Sequence, residues 1–455
     1  ALEAFPAVDF YAMRIRFEWI RVRIWWWRPG WTLREAVQVW VGRLRDPVIE
    51  PGNVATGRTG TFSASAPPGT TEIDVDFPPG FIGDEGRFPD APEASLPVPL
   101  PIIIGAARNV PIYAIGDDSV GTDPPDPAAS IRYLVAAHPI ASGTLTIRSD
   151  GTNGFIKAGE PVLEDIDGRG QRYSYVELEN NDPGWAPGLA LYAGDDTTGV
   201  VEGQVGPEGT AIKGLGDVLL YMLHTFAREQ FFEIDRDRIY AARSKLNAFR
   251  VGSWFNNRTD GESLLRILKT RYEGQFPVSF NFANGRFGWD YTGVPEVGTA
   301  AVASIVWGQN AHDRGPLQNV SIDLLRTRFE IQYQRDGYAA GTVGSVRRGP
   351  ENSAKARACL TKWRINREAV VSAPDCADEY TARLLAEDQI NRLTVLRSRI
   401  EYVVDEPRLA TLPLFSRVVV TDATWGWADE SFLVEGVALL QPGRVSLALI
   451  SENGR

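Results

Sequence analysis

Cysteine is scarce. Cys359 and Cys376 are the only two in 455 residues, so no disulfide framework can hold the fold. Two thiols in a chain of this size read as buried side chains rather than a bridge, the pattern of a protein made in a reducing cytoplasm. Histidine is nearly as rare. His138, His224 and His312 stand far apart, and no H-x-x-x-H or C-x-x-C spacing occurs, which excludes a motif-built zinc site. No run approaches the roughly 18 apolar residues that a membrane helix needs. The most apolar stretch, LPVPLPIIIGAA, is short and broken by prolines. The first residues lack the basic-then-apolar order of a secretory signal. Also missing are G-x-S-x-G, which would build a nucleophile elbow, and G-x-x-x-x-G-K-[ST], which would cradle phosphates.

What is present points to strands. The 44 glycines and 30 prolines, set among 13 tryptophans, 14 tyrosines and 20 phenylalanines, favour short strands joined by turns. The length exceeds one ordinary core, so two to four domains are expected. A net charge of −11 argues against a chain-wide phosphate binder, because nucleic-acid affinity comes mainly from paired cations. The acid is concentrated: residues 151–212 hold eleven Asp or Glu against three Lys or Arg. Such a bias reads as a solvated surface or as a specific site.

One segment runs against that charge. RIRFEWIRVRIWWWRPGW (14–31) holds five arginines and five tryptophans. Ile15, Phe17 and Trp19 alternate with polar residues, then the phase slips by one at Ile20, Val22 and Ile24. Alternation with a single slip predicts a strand carrying a β-bulge. Trp25, Trp26, Trp27 and Trp31 cannot all face one core, since neighbours in a strand point to opposite sides. They are candidates for a partner interface, where tryptophan is a preferred anchor; packing against the strands of 51–100 is the other reading.

Four segments follow from the pattern. Residues 1–100 read as an N-terminal β domain, with a turn at DPVIEPGN built on Pro47, Pro51 and Gly52. Residues 101–212 read as a β-rich, acidic, loop-rich region. Residues 213–300 read as a small helix-plus-hairpin α/β domain. Asp217 is placed to cap its first helix, which buries Leu219, Met222, Leu223 and Phe226, and DRDRIYAARSKLNAF forms a second helix. Thr259 and Glu262 have capping-box spacing for a third, which ends at Gly274. The hairpin sets Phe276, Val278, Phe280 and Phe282 against Phe287, Trp289 and Tyr291 across Asn284-Gly285. Residues 301–455 read as a C-terminal β-barrel-like domain with one helix, about 375–393, burying Tyr380 and Leu384. The fold class expected is mainly β with smaller α/β parts.

Carboxylate pairs for glycoside cleavage could be drawn from Glu164, Asp165 and Asp167, or from Asp195 and Asp196. DIDGRGQRYSYVE (165–177) starts like a calcium loop but places Arg169 and Val176 where oxygen ligands are needed. A turn is the better reading. No metal, no cofactor and no catalytic group is expected.

Four stretches, taken in order, resemble the tail-hub or baseplate-hub proteins of long-tailed phages and phage-like gene transfer agents. They are WVGRLRDPVIEPGN; LPVPLPIIIGAARNVPIYAIG with YLVAAHPI; DVLLYMLHTFARE followed by WFNNRTDGESLLRILKTRYEGQFPVSFNFANGRFGWDYTG; and LFSRVVVTDATWGWADESFLVEGVALL. Their order along the chain carries the likeness. The resemblance implies tail-tube-like β-barrel domains beside small α/β domains, three copies forming a ring of pseudo-sixfold symmetry, and a mechanical role without catalysis. It implies as partners a distal tail protein, the end of the tape-measure protein, and a tip spike or fibre protein. DNA would pass through without being specifically bound, and the site would be the virion's tail tip. Another tail-tip component, or a carbohydrate-binding or carbohydrate-cleaving tail protein, is the alternative.

Overall fold

The computed structural model describes residues 75–117, 130–149, 156–179, 190–194, 199–206, 209–227, 233–256, 263–283, 286–295, 299–338, 341–441 and 443–452, together with four strands nearer the N-terminus. The fold is mainly β with smaller helical parts, and its sheets curl as half-barrels.

The first half-barrel is a seven-stranded sheet in the order Leu163–Ile166, Arg172–Glu179, Ser130–Ala136, Val110–Asp117, Leu191–Gly194, Thr144–Ser149, Ile156–Pro161. Every pairing in it is antiparallel. Its two outermost strands are consecutive in the chain and separated only by Val162, so one bent segment supplies both edges. Ile112, Val135, Leu145, Ile147 and Val176 fill one face. Ile82, Phe88 and Leu100 cover part of the other against Ile115, Leu134, Tyr173 and Tyr175.

The C-terminal half-barrel repeats the device. Its order is Ala303–Val306, Arg417–Asp422, Trp427–Gln441, Arg444–Ser451, Ser398–Val404, Ala311–Arg314, with Gln318–Asn319 also on Ser398–Val404. The outermost strands are again neighbours in sequence. They meet at a tight corner, where the Gly308 N–H donates to the Ala311 carbonyl at 2.9 Å.

Between the two lies a mixed sheet lined by helices. Ile102–Arg108 pairs antiparallel with Val200–Glu202 and Gly252–Phe255, and touches Arg328–Asp336 at its end. That last strand pairs antiparallel with Gly341–Arg348 and parallel with Glu368–Ala373. Gly105 has φ +74°, and a Cβ there would lie 1.7 Å from the Val251 carbonyl oxygen. Only glycine allows the two strands this approach.

The described residues hold helices α1 (Leu215–Phe226), α2 (Arg236–Leu246), α3 (Leu264–Ile267, continuing as a π-helical turn over Leu268–Glu273), α4 (Ala354–Trp363) and α5 (Glu379–Leu393). In α1, Leu219, Met222 and Leu223 are fully buried, each contributing on the order of 2 kcal/mol. They share one core with α2, α3, α5 and the hairpin Val278–Ala283/Arg286–Tyr291. In that hairpin Phe280 faces Trp289 across the ladder.

Several expectations need correction. Asp217 does not cap α1: the N-cap is Gly214, and the Asp217 N–H donates to Asn247 Oδ1 at 3.0 Å. A residue at the end of α2 therefore caps α1, which no local pattern could reveal. Ser263 caps α3, with its side chain accepting from the Arg266 N–H; Thr259 and Glu262 lie outside the described residues. Helix α5 starts at Glu379 under an Asp378 cap, which turns Tyr380 outward (61% exposed) while Leu385, Ala386 and Ile390 go in. The predicted turn at Pro47 is a strand, Arg45–Glu50, in which the pairing skips between Arg45 and Val48. Proline is tolerated at such a bulge because no ladder N–H is required there. Helix α4 has no counterpart among the expected elements.

Candidate functional site

Three ion pairs built on buried carboxylates tie the larger parts together, and each draws on an arginine that the sequence leaves unmarked. The first centres on Asp375, 1% exposed at the turn before α5. The π-helical turn of α3 aims Arg271 at it. Arg271 Nε donates to Oδ2 at 3.0 Å, and its Nη2 donates to Oδ1. Gln275 Nε2 donates to Oδ2 at 2.8 Å, and Ser253 Oγ donates to Oδ1 at 2.7 Å. One carboxylate thus joins α3, the strand Gly252–Phe255 and the lead-in to α5. Two guanidiniums roof the joint, Arg271 over Phe255 at 4.2 Å and Arg335 over Trp254 at 3.9 Å. Burial pushes the neighbouring Tyr272 hydroxyl well above its usual range, and the Asp375 charge adds to the effect.

The second joint connects the helix–hairpin part to the C-terminal half-barrel. Arg238 of α2 meets Asp290 of the hairpin at 2.9 Å, both almost fully buried. Arg238 Nη2 also donates to the Leu412 carbonyl at 2.8 Å, while Asp290 Oδ2 accepts from the Leu414 N–H at 3.1 Å. Burial raises the Asp290 carboxyl against the pull of Arg238.

The third closes the C-terminal half-barrel. Arg314, on one edge strand, pairs with Asp422 on the strand next to the other edge. Tyr402 donates to the same carboxylate at 2.7 Å. The guanidinium lies 4.2 Å from the Trp307 ring centre and 5.5 Å from that of Trp425. Burial alone would raise the Asp422 carboxyl, but the hydrogen bonds from Arg314 and Tyr402 outweigh it and hold it below its ordinary value.

The carboxylates singled out in the acidic region are scattered over one hairpin. Asp167 is buried against Arg87 at 2.7 Å. Its Oδ1 accepts from the Arg169 and Gln171 N–H groups at 2.9 and 2.8 Å. Its Oδ1 shapes the turn while Oδ2 holds Arg87, so the turn reading holds over 167–170, and 172–177 belong to the strand that follows. Glu164 pairs with Arg172 on the facing strand, and Asp165 is exposed. Asp195 and Asp196 lie outside the described residues. Cys359 and Cys376 are free buried thiols, and burial pushes Cys376 up to about 12. Among the described residues, no group of three or more His, Cys, Asp or Glu is placed to hold a metal ion.

Of the four tryptophans proposed for an interface, Trp25 and Trp26 lie on the strand Arg21–Trp26, paired antiparallel with Val37–Arg43. The register shifts between Ile24 and Trp25. Trp27 and Trp31, and the phase slip at Trp19, fall outside the described residues. What the sequence reasoning missed were Arg87, Arg238, Arg271 and Arg314. The signal available was their number, since buried arginines require acid partners, but the partners are 52 to 108 residues away.

No protein-family model matches the chain, and no curated protein does. Among solved structures it is similar to a chain of the virion of a native gene transfer agent particle, at 12% identity over 81% of this chain and 87% of that one, with a TM-score of 0.45. It is similar to a 43 kDa prophage tail protein from Shewanella oneidensis, at 13% identity over 77% and 98% of the two chains, TM-score 0.30. It is similar also to a prophage tail protein from Listeria monocytogenes, at 12% identity over 77% and 94%, TM-score 0.30.

Proposed function

We propose that this chain is a structural component of a phage-type tail, the hub protein of a tail tip or baseplate. It connects the tail tube to the distal host-recognition and penetration proteins and forms part of the DNA conduit. The observation that carries the reading is the presence of two half-barrels that share one device, the outermost strands of each being consecutive in the chain. Three such chains present six similar units, which adapts a threefold tip to a sixfold tube. The three ion pairs fit a body that must transmit load without changing shape, because each crosses between elements rather than lying within one.

On this reading the protein is a homotrimer without catalytic activity. It contacts a distal tail protein, the end of the tape-measure protein and a spike or fibre protein. Subunits made in the host cytoplasm end in the virion's tail tip. The acidic character of the chain keeps passing DNA from sticking, since like charges repel along a narrow conduit. Negative-stain electron microscopy of the purified protein, alone at high concentration and with a distal tail protein, tests the reading. Threefold rings with a central hole are the expected class averages. Monomers under both conditions would overturn it.

A further inference from the structure

Helix α4 carries charge of one sign. From Ser353 to Arg364 the chain holds four Lys or Arg and no Asp or Glu, in a molecule of net charge −11. Ala356 and Cys359 face the core, with Leu360 and Trp363 half-buried beside them. Helical spacing then sets Ala354, Ala358 and Thr361 along the middle of the outer face, all exposed. Lys355 and Lys362 border that stripe on one side, Arg357 and the C-cap Arg364 on the other. Small side chains between two rows of cations leave a furrow that a neighbouring backbone can enter.

Three of these cations meet no carboxylate among the described residues. Lys355 Nζ donates to Asn391 Oδ1 at 2.6 Å, and Arg357 donates to the Pro350 and Glu351 carbonyls at 2.9 and 3.4 Å. Neither contact cancels the charge. Arg364 is exposed, with φ +57° at a left-handed cap where glycine would sit without strain. The nearby Glu351 is taken by Arg328 at 3.3 Å, and Arg367 beyond the helix is matched by Asp323 at 3.1 Å. The face therefore stays positive, and it calls for an acidic occupant.

The first half-barrel presents one. Residues 84–93, DEGRFPDAPE, hold four acids and one arginine, and that arginine, Arg87, is buried on Asp167. Glu85, Asp90 and Glu93 are exposed and pair with no cation among the described residues, while Asp84 stands 3.8 Å from Arg169. The segment is already ordered. Phe88 is anchored in the core, the Arg87 N–H donates to the Asp84 carbonyl at 3.0 Å, and the Ser95 N–H donates to the Pro92 carbonyl at 2.8 Å. Pro89 and Pro92, both exposed, restrict the backbone between them. A knuckle fixed in this way loses little conformational freedom on docking.

We infer that residues 84–93 of one copy dock on α4 of the next. Glu85, Asp90 and Glu93 then meet Lys355, Arg357 and Arg364, and the prolines lie over the stripe of small residues. The two surfaces differ, so the contact is head-to-tail, the kind that closes into a ring when the rotation per copy allows. DNA fits less well, because a duplex on α4 would also run along the rest of an acidic surface. The knuckle instead brings three free carboxylates to three free cations. This deepens the hub reading and rests on its premise that copies of the chain assemble.

Sedimentation velocity over a concentration series tests the contact on the full chain, alone and with a distal tail protein. About 0.1 M salt suits it, since charges more than about 10 Å apart are then largely screened. Wild type should self-associate. Lys355→Glu with Arg357→Glu, and separately Glu85→Lys with Asp90→Lys, should each weaken association roughly tenfold or more. Combining the two sets should restore it, because the charges are exchanged across the contact. Arg364→Gly removes a charge but suits the left-handed cap, so it should weaken association without lowering the thermal midpoint. All altered positions are solvent-exposed, and circular dichroism of each variant verifies the fold. If wild type assembles and the charge-reversed variants assemble equally well, the contact is wrong while the ring stands. The contact is equally wrong if the combined variant fails to recover, or if reversal at Lys355 and Arg357 abolishes only the retention of a labelled DNA duplex. Wild type that stays monomeric at every concentration, with the distal tail protein as well, would overturn contact and ring together.

Discussion

His138 shows how a rare residue can serve structure alone. It is buried where the first half-barrel meets the middle sheet. Its Nε2 accepts from the Ile103 N–H at 3.0 Å, and its Nδ1 lies 3.0 Å from the Pro139 carbonyl. Both contacts suit a neutral ring that carries its proton on Nδ1. Protonating Nε2 would set two donors face to face. Burial accordingly lowers the imidazole from 6.5 to about 4, opposed by the Pro139 hydrogen bond. The unfolded chain therefore binds a proton that the folded chain refuses, and stability contributed by the neutral ring is complete above 6.5 and is lost as pH falls toward 4. The loss amounts to about 3 kcal/mol. His138→Gln retains an acceptor for Ile103 but does not titrate. Urea unfolding of both proteins from about pH 4 to 7, the window of the shift, should show wild type gaining stability relative to the variant as pH rises. A constant difference between them would show that the histidine does not carry the dependence.

At the scale of elements, one strand edge is secured by a side chain that crosses the sheet's opening. The C-terminal half-barrel leaves Ala303–Val306 and Ala311–Arg314 as its edges, and Arg314 crosses to Asp422 to clamp the gap. Asp422→Asn keeps the shape but strands the guanidinium between two indoles. Breaking one partner of a buried pair costs about 3 kcal/mol, so the urea midpoint should fall accordingly. A midpoint unchanged from wild type would mean that the Trp307 and Trp425 rings, not the ion pair, hold the edge. The hairpin of residues 278–291 and helices α1 and α2 are legible in the sequence, because their alternation or helical spacing is local. The π-helical turn of α3 is not. It brings Arg271 and Gln275 onto a carboxylate 104 and 100 positions later in the chain, and nothing in the segment itself records that partner.

For the whole molecule, the strands of the middle sheet come from residues 102–108, 200–202, 252–255, 328–336, 341–348 and 368–373. The segment from 322 to 393 is thus bracketed by strands of the C-terminal half-barrel while serving a different sheet. Removing residues 301–455 takes away Arg328–Asp336 with the two strands beside it, and with them Ile331, Ala373, Cys376, Ala382, Leu385 and Ala386 from the core that α1, α2, α3 and the hairpin share. A fragment ending at residue 300 should therefore lack a cooperative thermal transition, and co-expression with 301–455 should restore one. A fragment that melts cooperatively by itself would show that the remaining strands suffice.

Composition and short-range pattern determined the strand-rich class, most helix positions, the tight hairpin and the buried state of the two thiols. Those depend on turn chemistry, side-chain alternation and burial, which neighbouring residues carry. The tertiary structure alone decided which strands share a sheet, which arginine meets which carboxylate, that Asn247 rather than Asp217 caps α1, and that Tyr380 faces out. These outcomes depend on contacts between positions tens to hundreds of residues apart, where pairing is selected by the packing of the whole chain and leaves no periodic trace in any one segment.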